Sequence, residues 1–255
     1  MTYWRRTGER TYEPTEHVGG AWDPSTQHIA TLLGVLTHAV EQDRDSRRED
    51  RLPLTRLSFD ILGPVPLEEV AVDVRVERAG RTIELVEARA AHAGRDVVVL
   101  RAWLVAPHDT GAIAGTDLPA IPGPAEMEPW DVSTLWPGGF VASIDVRRKE
   151  LGPGRSMCWV RTAHDLVEGE PVSRFAGAVA LLDLANGMAV RADPTEVAFP
   201  NLDLTAHFFR EPVAGWLGYD ITVSFGPQGH GVTSTVIHDE QGPVATIGQA
   251  LTVRP

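Results

Sequence analysis

The chain has 255 residues, 43% of them hydrophobic and 23% charged, the usual make-up of a folded globular protein with room for two compact units. Its formal net charge of −12 argues against a nucleic-acid partner, because neutralising phosphates takes clustered Lys and Arg, although an anionic ligand can still be held by a local patch. A single cysteine, Cys158, excludes an internal disulfide framework, and no apolar window is long enough for a signal peptide or a membrane span, so a cytoplasmic protein is expected.

Residues Tyr3–Tyr12 read as a short opening strand. From Pro24 to about Asp43, Ile29, Leu32, Leu33, Leu36 and Val40 recur at helical spacing, and Asp23 is placed to cap the helix ahead of Pro24 at its first position. Basic residues cluster at Arg44–Arg51, but acids interleave them, so this stretch reads as a solvated loop. Four strand-like runs follow, Leu54–Leu62, Val70–Arg78, Thr82–His92 and Val97–Val105, with turns containing Gly-Pro, Ala-Gly and Gly-Arg. Ala106–Pro137 is rich in Pro and Gly without periodicity and reads as a linker draped over the surface. Strands resume near Phe140–Val146 and Ser156–Ala163, the latter holding Cys158 in an apolar run that argues for a packed, inert thiol. A second helix is predicted from Pro171 to about Ala189, followed by strands at Leu202–Arg210, Trp216–Ser224, Val232–His238 and Val244–Val253.

The two series are one series read twice. An offset of 147 residues carries Asp23-Pro24 onto Glu170-Pro171 and Val65 onto Pro212, and an offset of 148 carries Gly94 onto Gly242 and Val105 onto Val253. Two copies of one domain are therefore expected, residues 1–108 and 138–255, joined by a linker at 109–137. One helix followed by an antiparallel meander leaves each copy with an uncovered edge and an uncovered apolar face. Setting the copies edge to edge gives an α+β fold in which one continuous antiparallel sheet wraps two central helices.

Polar residues out of place in the second copy are the candidates for chemistry. Between Phe175 and Val190 the helix carries one charged residue, Asp183, among apolar neighbours on nearly every face. A carboxylate there is costly unless paired, its pKa rises with burial, and a perturbed acid facing a cleft is a functional candidate. The competing role is structural, with Asp183 bonded to a backbone amide or to an Arg such as Arg210. Gln249 shares its side of the last strand with Ala245, Ile247, Leu251 and Val253, and is either a polar group aimed at the site or a satisfied core amide. Asn201 opens a strand on the side of Asp203, Thr205 and His207, and a bulge after Pro200 would be needed to turn it inward. Asp203 is the rival carboxylate, read as an edge acid. The repeat sets Leu36 opposite Asp183, Leu54 opposite Asn201 and Arg101 opposite Gln249, so the polar set is missing from the first copy, which favours one active site over a structural role needed twice. There is no G-x-S-x-G elbow, no dinucleotide fingerprint and no close metal-ligand spacing among the nine histidines, and no His near Asp183 in sequence to serve a hydratase. The glycines of Phe225–Val232 (FGPQGHGV) fit a plain hairpin loop better than a phosphate cradle.

The segments AVALLDLANGM, FPNLDLTAHFFREPVAGW and HDEQGPVATIGQALTV, with AWDPSTQH and LGPVPLEEVAVDVRVERAGRTIELVEA in the first copy, resemble the acyl-CoA thioesterase II-like family of double hotdog thioesterases across almost the whole chain. The resemblance implies the double hotdog fold, an acyl-CoA or other acyl thioester as substrate, no cofactor or metal, and assembly into a homodimer or higher homo-oligomer. It places a catalytic set on Asp183, Asn201 and Gln249 and implies hydrolysis by Asp-assisted water attack without a covalent intermediate. This chain has Asn201 where the best-known members have Thr, and His28-Ile29-Ala30 where relatives often carry His-Gly-Gly. The first departure leaves room for a non-catalytic acyl-thioester-binding protein on the same scaffold. The second questions whether the backbone of the first helix grips the ligand.

Overall fold

Fourteen strands built on alternating residues form one sheet in this computed structural model, which describes residues 1–255. The first half supplies the hairpin β1 (Thr2–Arg6) and β2 (Thr11–Pro14), then β3 (Leu54–Ile61), β4 (Val70–Arg78), β5 (Ile83–His92) and β6 (Arg95–Val105). After a two-residue strand β7 (Glu128–Pro129), the second half supplies β8 (Ile144–Gly152), β9 (Arg155–Thr162), β10 (Asp165–Val167), β11 (Asp203–Phe208), β12 (Leu217–Phe225), β13 (His230–Asp239) and β14 (Gly242–Thr252). The order across the sheet is β10-β1-β2-β4-β5-β6-β3-β11-β14-β13-β12-β9-β8-β7. The arrangement is the α+β double hotdog, with two differences from the sequence reading. The opening strand is a hairpin, matching β8 and β9 in the second half. The sheet is mixed, because β10 runs parallel to β1, with Thr2 opposite Asp165. Chain leaving β9 thus crosses to the opposite end of the sheet, where Tyr3 hydrogen-bonds Ser143 at 2.7 Å and Thr162 at 2.8 Å.

The halves meet at β3 and β11, and their register turns the sequence repeat into a two-fold axis. Ser58 faces Thr205, its own counterpart at an offset of 147, and their hydroxyls hydrogen-bond at 2.9 Å. Arg56 faces His207 and Asp60 faces Asp203, two pairs that exchange under the same offset.

The first helix, α1 (Ile29–Arg47), begins later and ends later than its apolar spacing predicts. Residues 23–26 are instead a turn in which Asp23 accepts from the Ser25 N–H at 2.9 Å. Gln27 then pins the chain to the β3–β4 connection, its N–H donating to Val65 and its amide to Pro66 and Glu68. The helix starts only after these ties, with His28 as N-cap. At the other end Arg44 and Arg47 belong to the helix and not to a solvated loop. Arg44 is buried and donates to the Leu52 carbonyl, while Arg47 and Arg48 share the buried Glu84.

The second helix is not continuous. Ser173 caps α3 (Arg174–Val179), which follows a short helical turn, α2 (Gly139–Ala142), earlier in the chain. A 3-10 turn at Leu182–Leu184 then leads to α4 (Ala185–Met188), with Asp183 at non-helical φ −81° and ψ 27°. The freed carbonyl of Leu181 accepts from the buried Tyr219 hydroxyl at 2.7 Å, a partner no sequence period reveals. Helices α1 and α3 cross at Gly34, where an added Cβ would lie 2.6 Å from the Ala180 Cβ and 3.1 Å from the Ala176 carbonyl oxygen.

A single cluster of 57 buried apolar residues draws on both halves. The connecting segment contributes as well, against the expectation of a surface linker. Ile121 and Met127 pack with Trp159, whose indole donates to the Pro122 carbonyl at 2.8 Å, and Trp136 is buried in the main core. No helix is long and apolar enough to cross a membrane.

The helix crossing makes a stability test. Gly34→Ala forces α1 from α3 at a contact partly with backbone, an over-packing cost of about 1–3 kcal/mol. Thermal denaturation should show a fall of roughly 2–4 °C per kcal/mol for a chain of this size. An unchanged Tm would mean that the crossing is loose.

Candidate active site

The break in the second helix sets the site. It removes Asp183 from a regular helical face and leaves its side chain, 7% exposed, at the floor of a cleft. Asp183 Oδ1 accepts two amide hydrogen bonds, from Asn201 Nδ2 at 2.6 Å and from Gln249 Nε2 at 2.9 Å. Oδ2 accepts none from the protein. Burial pushes the Asp183 carboxyl up to about 7, and the two amide donors, which favour the ionised form, only partly offset it. The alternative partner is accounted for elsewhere. Arg210 forms a two-pronged pair with the buried Asp239, at 2.5 and 2.7 Å.

Asn201 reaches inward through a bulge, the device its unfavourable alternation requires. Within β11 Thr205 faces Gly248, a register that would set Asn201 against Thr252, yet Asn201 faces Leu251. Leu202 is the extra residue, and Asp203 fills the disturbed ladder by accepting from the Ala250 N–H at 2.6 Å. Asp203 is therefore the acid of the bulge. The first half bulges at the same place, between Leu54 and Arg56, so the backbone device is present in both copies and only the side chain differs. Gln249 lies on the buried face of β14, its Oε1 without a partner.

The register also corrects one counterpart. Ser58 opposite Arg101 is the image of Thr205 opposite Gly248, so Gln249 corresponds to Ala102. Arg101 points away from the core and pairs with Glu87. In the first half the set reads Leu36, Leu54 and Ala102, all buried. The cleft has an image there, a hollow of about 460 Å³ lined by residues including Arg51, Pro53, Ser173, Arg174 and Pro212. Leu36 stands at the position of Asp183, and the buried acid of this hollow, Glu41, lies elsewhere and accepts from the Ser173 hydroxyl at 2.5 Å.

Two hollows meet at Asp183. The outer cleft, of about 610 Å³, runs along Trp22, Gln27, Ile61, Pro64, Asn201, Leu202 and Arg254. The inner chamber, of about 30 Å³, lies among Trp22, Trp136, Val141, Leu184 and Met188. Both are lined by His28, Asp183 and Asn186. Sequence proximity gave no histidine beside Asp183; the fold brings His28 from the other half. Burial holds this imidazole neutral, with a pKa of about 4, and its Nδ1 accepts from the Ala30 N–H at 3.3 Å, which puts the proton on Nε2. The Ile29 N–H has no partner within the protein and opens the N-terminus of α1 beside the cleft. Trp22, Trp136 and Asn186 were also missed. Asn186 had a local signal, lying three positions past Asp183, whereas the tryptophans come from segments without periodicity. The Phe225–Val232 glycines form a plain hairpin, with Gly226 N–H bonded to the His230 carbonyl, and Cys158 is fully buried, which pushes its thiol up and leaves it inert.

Because the folded carboxyl of Asp183 titrates near 7 against an ordinary 3.8, the fold favours its neutral form. That stabilisation is complete below the ordinary value and lost as pH rises through about 7. Asp183→Asn keeps an oxygen for both amides and removes the charge. Its Tm should exceed that of the unsubstituted protein at pH 8, with the gap narrowing as pH falls through about 7 and closing only near the ordinary value of 3.8, as read by thermal denaturation across pH. Parallel curves would show that Asp183 does not carry the dependence.

Residues 18–105 match the acyl-CoA thioesterase N-terminal domain family, and residues 114–253 match the acyl-CoA thioesterase C-terminal domain family. No curated protein sequence matches the chain. Among solved structures, a protein described as a thioesterase from Novosphingobium aromaticivorans is 20% identical over 99% of both chains, with a TM-score of 0.74. A hot dog fold protein from Alicyclobacillus acidocaldarius is 14% identical over 98% of this chain and 95% of its own, with a TM-score of 0.73. An acyl-CoA thioesterase II from Mycobacterium marinum is 18% identical over 98% of this chain and 95% of its own, with a TM-score of 0.68. At these identities the structures bear on the fold alone.

Proposed function

The chain belongs to the acyl-CoA thioesterase family, a family of thioester hydrolases, and from that premise we propose that it hydrolyses acyl-CoA by water attack assisted by Asp183, with no covalent intermediate. The observation that carries this reading is the Asp183 carboxylate, buried, held on Oδ1 by Asn201 and Gln249, and free on Oδ2 beside a cleft.

In this mechanism Asn201 and Gln249 orient the carboxylate, and Oδ2 accepts a hydrogen bond from water. As the water oxygen bonds to the thioester carbonyl carbon, its proton passes to Oδ2. Collapse of the tetrahedral adduct breaks the C–S bond, the proton passes to sulfur, and free acid and thiol leave. A base titrating near 7 suits this step at neutral pH, and general-base help of this kind supplies ~10²–10⁴-fold. The carbonyl oxygen gains negative charge facing the N-terminus of α1, where the Ile29 N–H and His28 Nε2–H are neutral donors; one well-placed donor of this type is worth about 3–4 kcal/mol. Having Ile29 and Ala30 in place of two glycines leaves the backbone N–H groups intact. Asn201 in place of Thr keeps the bond to Asp183, so the lost hydroxyl does not abolish the arrangement.

Release of free thiol from acyl-CoA tests the reading. For the unsubstituted protein, kcat/KM should rise with pH through about 7 as Asp183 ionises. Asp183→Asn should lower kcat by at least ~10²-fold with acyl-CoA binding retained. Protein that binds acyl-CoA and never releases thiol would instead be a non-catalytic binder on this scaffold.

A further inference from the structure

The two hollows at Asp183 are unequal, and the smaller is bordered by large side chains, of which Trp136 is buried and Trp22 is 43% exposed. Trp136 comes from the connecting segment, is buried, and is clamped by its indole N–H, which donates to the Gly187 carbonyl at 2.9 Å. Trp22 meets it edge to face at 4.8 Å between ring centroids, and Phe199 backs Trp22 at 5.1 Å and Trp136 at 6.0 Å. Val141, Leu184 and Met188 complete the walls, each no more than 3% exposed. A chamber of about 30 Å³ has room for a few heavy atoms, since one water takes ~10–15 Å³ on the same measure. The outer cleft, about twenty times larger, presents mainly apolar surface with polar groups at Gln27, Asn201, Thr252 and Arg254, and has the room for the long thiol arm.

Resting on the thioesterase reading, we propose that this chain is selective for short acyl groups of about two to four carbons, which enter the Trp22–Trp136 chamber while the coenzyme arm lies in the outer cleft. The reacting carbonyl then sits where the two hollows join, over Asp183 and beside His28. A longer chain finds the contacting rings of Trp22, Trp136 and Phe199 in its path, the last two of them buried. Bound rigidly in this way, Trp136 acts as the gauge of acyl length.

The experiment compares free-thiol release from acetyl-, butyryl-, octanoyl- and palmitoyl-CoA by the unsubstituted protein and by Trp136→Leu. The expected result is kcat/KM at least tenfold higher for butyryl- than for octanoyl-CoA in the unsubstituted protein, and a narrowing or reversal of that ratio in Trp136→Leu. A preference for octanoyl or palmitoyl chains in the unsubstituted protein, or the same profile in both proteins, would overturn the proposal. Calorimetric titration of Asp183→Asn with the same four thioesters reads the chamber without turnover. Tightest binding of the short chains supports the proposal even if no hydrolysis is seen, in which case the enzymatic reading alone has failed; affinity that is flat or rises with chain length overturns it.

Discussion

Neither half of this protein can bury its own helix. Helix α1 is covered from Ala30 to Glu41 on essentially every side, and one curved sheet touches only one face of it. The rest of its cover comes from the other half, through the close approach of α3 at Gly34 and through the sheet continued across β3 and β11. Such sharing explains why the main cluster of buried apolar residues spans both halves and why the short strand β10 crosses to the far end of the sheet. It also explains the polar ties between halves. Glu170, leading into the second helical segment, is held by Arg6 of β1 at 2.5 Å and by His38 of α1 at 3.1 Å, and Arg6 draws its carboxyl down to about 2.

How much was legible in the sequence follows from which forces are local. The strands and the duplication were readable because alternation and repetition are properties of the chain itself, and the Ser58–Thr205 axis restates the 147-residue offset in space. Asp183 and Gln249 stood out because each is polar on an apolar face. Asn201 was a candidate only on the condition of a bulge, because its alternation points outward and its direction depends on a ladder that Asp203 repairs. The break at Leu181 depends on the Tyr219 hydroxyl, 38 residues away, and the start of α1 depends on bonds from Gln27 to the β3–β4 connection. His28, Trp22 and Trp136 join the site only through the contact between halves. Periodicity in their own segments does not mark that destination; only the resemblance at AWDPSTQH and the His28-Ile29-Ala30 comparison touched on it.

The candidate site is thus assembled across the pseudo-symmetric join. The carboxylate and its two amides come from the second half, while the histidine, the helix N-terminus and one aromatic wall come from the first. The image position keeps the bulge and a hollow of its own, but Leu36, Leu54 and Ala102 stand where the polar groups would be. Apolar side chains at these three positions avoid the desolvation cost of an acid at the place of Asp183, and the buried acid nearby, Glu41, is bonded by Ser173 instead.

Covalent joining of the copies has an evolutionary consequence. Two identical subunits related by a dyad must keep both centres or lose both, since every substitution appears twice. Once the copies share one polypeptide, inheritance of each position is independent. One half is then at liberty to trade its polar groups for packing, provided that it goes on lending its helix end and its tryptophan to the neighbour. Freed from carrying an acid of its own, it still supplies donors and a wall.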